Sequence, residues 1–213
     1  MLAVLPRQKK KKTPFFRKSD GFHTNKDLLF KKPMIFGHLP AGYITAKLLF
    51  KTFKNRTAFY KAFMFWGMLG AITPDIDLLY YYTIDDYQHP HHTYLTHLPF
   101  CWLTLLLLSF VWLRLSNNHS QNPAFAFIFA LGGVIHMLLD TFTGEIFWLM
   151  PFFSTPFSFV SSDLEYNSWG LNYFTHWAFV LELFIIWWAL FLRFKKIFTP
   201  SSAKSKKMAF KYL

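Results

Sequence analysis

The chain has 213 residues and a formal charge of +12; it is 53% hydrophobic and 22% aromatic, with 28 Phe and 8 Trp. Apolar residues so numerous, gathered into blocks approaching the roughly 20 that cross a bilayer, point to an integral membrane protein rather than to a soluble domain with three core helices. The single cysteine, Cys101, excludes an intramolecular disulfide and a Cys-based metal site. The basic residues crowd into the tails without a nucleic-acid motif, so anionic lipid headgroups are the expected partners and nucleic acid is not.

Residues 1–33 are basic and weakly periodic, and read as a flexible or surface-lying tail whose basic run lacks the apolar core of a signal peptide. The apolar segments 37–50 and 58–72, joined by the basic link 51–57, predict a short helical hairpin. Each is short for a span, which leaves tilt, local thinning or a re-entrant path open. Pro74 ends the second helix. The loop 75–97 then carries four acidic residues, four His and several Tyr. Helices follow at about 98–115, 123–142 and 174–194, with a Pro- and aromatic-rich connection over 143–173. The expected fold is all-α: a membrane bundle of four to five helices over 34–197 that carries a metal site, followed by a basic tail over 198–213.

His136 and Asp140 stand four apart in an apolar stretch, so a helix places them on one face. A charge buried at membrane depth costs several kcal/mol, so the pair is expected to have a partner. Imidazole and carboxylate are both good ligands for a divalent cation. The alternative is a His–Asp hydrogen bond joining two helices. Threading the segments through a membrane brings His38, Asp75, Asp77, His92, His97, His136 and His176 to one end, and only His23 and His119 fall elsewhere.

Pro74-Asp75-Ile76-Asp77 places two carboxylates two residues apart. In an extended segment both face one side, as a cation site requires, although a solvated acidic turn has the same pattern. In the run from His89 to His97, His92 and His97 are the expected ligands, with His89 and His91 as spectators. His38 taken alone reads as a helix-end residue, and His176 beside Trp177 as an interfacial anchor. Glu145, Asp163 and Glu165 read as proton acceptors or solvated loop residues. Glu182 lies inside the last helix, away from the site end, where pairing with another helix or proton uptake is expected.

Lys51, Lys54, Arg56, Lys61, Arg114, Arg193, Lys195 and Lys196 cluster at the opposite end, and the loops 74–97 and 143–173 contain no Lys or Arg. The positive-inside rule then puts the site on the non-cytoplasmic face. The basic N-terminal tail conflicts with that orientation unless residues 37–50 are re-entrant.

Gly37-His38, Pro74-Asp75-Ile76-Asp77, His92 to Thr96-His97, His136-Met-Leu-Leu-Asp140-Thr-Phe-Thr and Gly144 with Pro151-Phe152 occur in this order, and together resemble the YdjM-like membrane-bound metal-dependent hydrolases over residues 36–155. The resemblance implies a bacterial inner-membrane location. It also implies that His38, Asp75, Asp77, His92, His97, His136 and Asp140 are metal and catalytic positions. One departure stands out. Where the family commonly has His-Arg-Gly-x-Thr-His-Ser, this chain has Thr93 and Tyr94 after His92, and Leu98 after His97. If the missing Arg binds an anionic oxygen, another donor or another substrate is required here.

The sequence thus suggests a divalent-metal hydrolase using one or two ions, zinc first and manganese or magnesium as alternatives. Asp75 or Asp77 would serve as second-ion ligand or general base, and a phosphoester or lipid-linked compound would be the substrate. The rival readings are a non-catalytic metal-binding or ion-transporting membrane protein, and a structural or lipid-binding protein. The absence of an internal repeat disfavours transport.

Overall fold

The computed structural model describes residues 36–55, 57–85, 89, 91–117, 120–159 and 174–198. The two basic tails lie outside these residues except for Phe198, as do His23, His119, Asp163 and Glu165. The described residues form six α-helices: α1 His38–Phe53, α2 Tyr60–Ile72, α3 Asp77–Thr83, α4 Pro99–Leu115, α5 Asn122–Asp140 and α6 Trp177–Phe198. Among the described residues there is no strand, only an isolated bridge between Ile146 and Phe157. The all-α expectation therefore holds.

Among the described residues, two helices are long and apolar enough to cross a membrane, over Asn122–Asp140 and Trp177–Lys195. A third crossing results if α2 and the segment Pro74–Thr83, bent 55° from it, are one broken span. α4 is shorter but equally apolar. Pro99 and Pro123 occupy the first turns of α4 and α5, where a missing N–H leaves no helical bond unmade. The outward faces of α4 and α6 carry Leu107, Leu108, Trp112, Val180, Trp187 and Phe191 in the open. In water such a surface promotes aggregation; against lipid tails it is the expected exterior.

The 75–97 segment departs from expectation. A 3₁₀ turn over Pro74–Ile76 runs into α3, and two more turns cover His91–Thr93 and Leu95–His97. Asp77 is helical in backbone (φ −69°, ψ −18°), not extended. Residues two apart on a helical path diverge, so Asp75 and Asp77 point in different directions and meet opposite ring nitrogens of His97.

The core is built on close backbone approach. α2 lies between α1 and α5, and its contact with α5 is nearly bare peptide on peptide. A Cβ added to Gly70 would stand 2.0 Å from the Phe129 carbonyl oxygen, and one added to Gly132 would stand 2.6 Å from that of Gly67. Lipid supplies no hydrophobic drive between helices, so dispersion across such small-residue seams carries the association. Farther from the site, Phe53, Phe63, Met64 and Ile128 fill a second layer. α6 contributes one stripe only: Ile185 packs with Ala41 of α1, bordered by Ile44, Ile135, Leu139 and Leu181.

The seam has a direct consequence for function, because Gly132 stands one turn before His136 and sets how near that ring comes to α2. Gly70→Ala should therefore lower the melting temperature of detergent-solubilised protein, by the equivalent of about 1–3 kcal/mol for an overpacked site. At an open helical position the same change would stabilise by nearly 1 kcal/mol. An unchanged or raised melting temperature would show that the seam is looser than described.

Candidate metal centre

Five segments deliver side chains to one buried point. His38 opens α1, Asp75 sits in the turn after α2, His92 and His97 belong to the 3₁₀ turns before α4, and His136 and Asp140 close α5. His38, His97, His136 and Asp140 are all buried, at 2% exposure or less, and His92 and Asp75 are partly open.

Asp140 is the hub. Its Oδ1 lies 3.1 Å from His38 Nε2; its Oδ2 lies 2.9 Å from His136 Nε2, 3.6 Å from His97 Nε2 and 3.9 Å from His92 Nε2. Asp75 Oδ1 faces the same rings from the other side, 3.5 Å from His136 Nε2 and 3.6 Å from His97 Nε2. The His38 and His136 rings stack with centroids 3.8 Å apart. Two trios, His38 with Asp75 and His136, and His92 with His97 and Asp140, each bring their ligand atoms within 4.8 Å of one another.

On three of the four rings Nδ1 faces an acceptor behind the site and carries a proton. His136 Nδ1 is 2.7 Å from the Ala71 carbonyl oxygen, an acceptor only, so this nitrogen carries the proton and donates. The end of α2 before Pro74 leaves its last carbonyls open to such a partner. His92 Nδ1 likewise donates to the Glu145 carbonyl at 3.1 Å, and His97 Nδ1 donates to Asp77 Oδ2. Asp77 is itself held by the Thr96 hydroxyl at 2.6 Å, and the Trp102 indole donates to the Thr96 carbonyl at 2.7 Å. Gly144 clears the space His92 occupies, since a Cβ there would stand 2.6 Å from His92 Cε1.

His136 therefore turns its Nε2 toward Asp140. That atom is buried and makes no hydrogen bond of acceptable geometry, although the carboxylate oxygen is only 2.9 Å away. Two lone pairs held this close in a dry site need a shared cation, either a proton or a metal. The separations of 3.5 to 3.9 Å among the other donors are long for hydrogen bonds. They suit ligands of one ion, since donors about 2.1 Å from a tetrahedral metal stand roughly 3.4 Å apart. Nitrogen and carboxylate oxygen donors with no thiolate fit a borderline divalent cation.

The two loop histidines lean in opposite directions. Burial, partly offset by Asp140 and reinforced by His97, holds His92 down to about 4. Burial also disfavours charge on His97, but the Asp140 and Asp77 carboxylates outweigh it and raise the ring to about 9.

Of the seven residues expected from sequence, six meet at this point. The seventh, Asp77, stands behind His97, on the ring nitrogen opposite the one that faces Asp75 and Asp140. His176 lies elsewhere: its Nδ1 accepts the Ala178 N–H at 3.2 Å at the start of α6. His89 pairs with Asp85 at 2.8 Å. Glu145 contributes its backbone carbonyl, with its side chain in the open.

Glu182 overturns its expected placement. α1 and α6 both start at the site end, and the pairing of Ala41 with Ile185 brings Glu182 level with His38. The carboxylate is 1% exposed and interacts electrostatically with His38. The stripe Ala178, Glu182, Ile185, at helical spacing, was the available signal. The supporting carbonyls of Ala71 and Glu145 leave no trace in a side-chain pattern.

A family model described as the YdjM inner membrane protein matches residues 34–200, which include every one of these residues. No curated protein and no solved structure matches the chain. Apolar helices, a buried His/Asp cluster able to hold a metal ion, and a match over most of its length together establish that the chain belongs to the YdjM inner membrane protein family.

Proposed function

We propose that this protein is a membrane-embedded hydrolase dependent on a divalent metal, zinc in the first instance, acting on a phosphoester or lipid-linked substrate at the membrane face. The observation that carries the reading is the convergence of four imidazoles on Asp140, three of them with Nδ1 engaged from behind. Histidine ligands are oriented in this way when Nε2 is meant for a metal.

In this reading His38, His136 and Asp75 line one half of the cage, and His92, His97 and Asp140 the other, with Asp140 shared across the divide. A divalent cation held there supplies Lewis-acid chemistry: activation of water and polarisation of the bond to be cleaved. Asp75 is the better general base. Its side chain is 31% exposed, so substrate and water reach it, whereas the Asp77 side chain is 5% exposed and committed to His97 and Thr96. Asp77 accordingly serves by orienting His97. No Lys or Arg occurs in the flanking loops 74–97 and 143–173, so positive charge for an anionic substrate comes from the metal. The basic ends of α1, α4 and α6 lie at the opposite end, which supports a site on the non-cytoplasmic face.

Purified protein offered a panel of lipid-linked and soluble phosphoesters should release product on addition of Zn²⁺ and stop on chelation. Asp75→Asn should cut turnover at least about 100-fold, in line with loss of a general base, and weaken zinc retention less than His136→Ala does. His136→Ala should weaken zinc retention by about 10-fold or more. Chelator-insensitive turnover, or full activity in Asp75→Asn, would refute the assignment.

The pH response separates metal-free from loaded protein. His97, facing Asp75, Asp77 and Asp140 with His92 and His136 beside it, has a folded pKa above its unfolded value of about 6.5. Its stabilising contribution is complete below about 6.5 and is lost as pH rises through about 9. Chelated protein should therefore melt at falling temperature from pH 6.5 to 9. Zinc-loaded protein should gain relative to it, because metal displaces the proton from the ring. Parallel melting curves across that interval would contradict the shared-cation geometry.

A further inference from the structure

Three of the four clustered imidazoles share one design, with Nε2 toward the carboxylates and Nδ1 donating to an acceptor behind the ring: Ala71 O for His136, Asp77 for His97 and Glu145 O for His92. His38 follows the first half only. Its Nε2 is 3.1 Å from Asp140 Oδ1, while its Nδ1 is buried and makes no hydrogen bond. Once Nε2 gives its lone pair to a cation, the neutral ring must carry its proton on Nδ1, and a buried N–H without an acceptor is costly.

The helix packed against the start of α1 brings one acid to that level. Glu182 is 1% exposed within a stripe whose other members, Ala178, Leu181 and Ile185, are apolar. It interacts electrostatically with His38 across the α1–α6 interface. An acidic side chain buried within a spanning helix is expensive, and packing alone is better served by Leu.

We propose that Glu182 is the positioning residue for His38, accepting the Nδ1 proton so that Nε2 is held toward the metal. This rests on the metal-site reading above. It makes α6 part of the centre rather than a lipid-facing accessory: the last helix supplies the fourth acceptor that completes the set behind the rings.

The test uses full-length protein in detergent, stripped of metal and titrated with Zn²⁺ alone against a chelating indicator. Glu182→Leu should weaken zinc binding about 10- to 100-fold, as loss of such a supporting group does. Glu182→Gln, which keeps an acceptor oxygen, should recover much of that loss. The melting temperature of metal-free Glu182→Leu should equal or exceed that of wild type, which a merely structural role would not allow. In a His38→Ala background Glu182→Leu should have no further effect on zinc binding. Equal zinc affinity in wild type and Glu182→Leu overturns the proposal, as does a Glu182→Leu protein that fails to fold. Wild type that binds no zinc overturns the metal-site reading itself, a distinguishable result.

Discussion

The contact on which this structure depends is that between His136 Nε2 and Asp140 Oδ2, 2.9 Å apart and one turn from each other on α5. The Ala71 carbonyl accepts the Nδ1 proton, so unless a proton or a metal sits at Nε2 the contact brings acceptor to acceptor. In water the repulsion would be screened; inside an apolar bundle it demands a cation. His38, His92, His97 and Asp75 gather around that demand, and the helices they belong to are held at the distance it requires.

Packing and chemistry are linked through the same residues. Gly70 and Gly132 let α2 and α5 meet backbone to backbone, which puts the free carbonyl of Ala71 within reach of His136. The Trp102 ring lies over Gly133, and its indole N–H holds the Thr96 carbonyl. Thr96 in turn holds Asp77, and Asp77 holds His97. Short contacts thus run from the core of the bundle to the His136 and His97 rings. A site on rigid helices with locked rotamers is what a preorganised metal cage requires.

Much of this was legible in the sequence because helical spacing and burial cost act through side-chain identity. His136 and Asp140 announce themselves as two polar groups at i and i+4 in an apolar helix, and alternating helix direction carries His38 and the loop histidines to the same end. What escaped was set by backbone conformation and helix register. Asp75 and Asp77 look equivalent in an extended chain; the helical turn after Pro74 sends one to the cage and the other behind His97. Glu182 reads as remote in the sequence of α6 alone, whereas the packing of Ile185 on Ala41 sets its level against α1. The Ala71 and Glu145 carbonyls belong to residues whose side chains take no part.

As proposed above, this His/Asp cluster is a metal centre and not a network of hydrogen bonds. X-ray absorption spectroscopy at the zinc edge, on purified protein loaded with zinc and freed of excess, tests it most directly. A metal centre here should give nitrogen and oxygen scatterers at about 2.0–2.1 Å with the outer-shell scattering of imidazole and no sulfur. Zinc that washes away, or a spectrum without imidazole scattering, would contradict it.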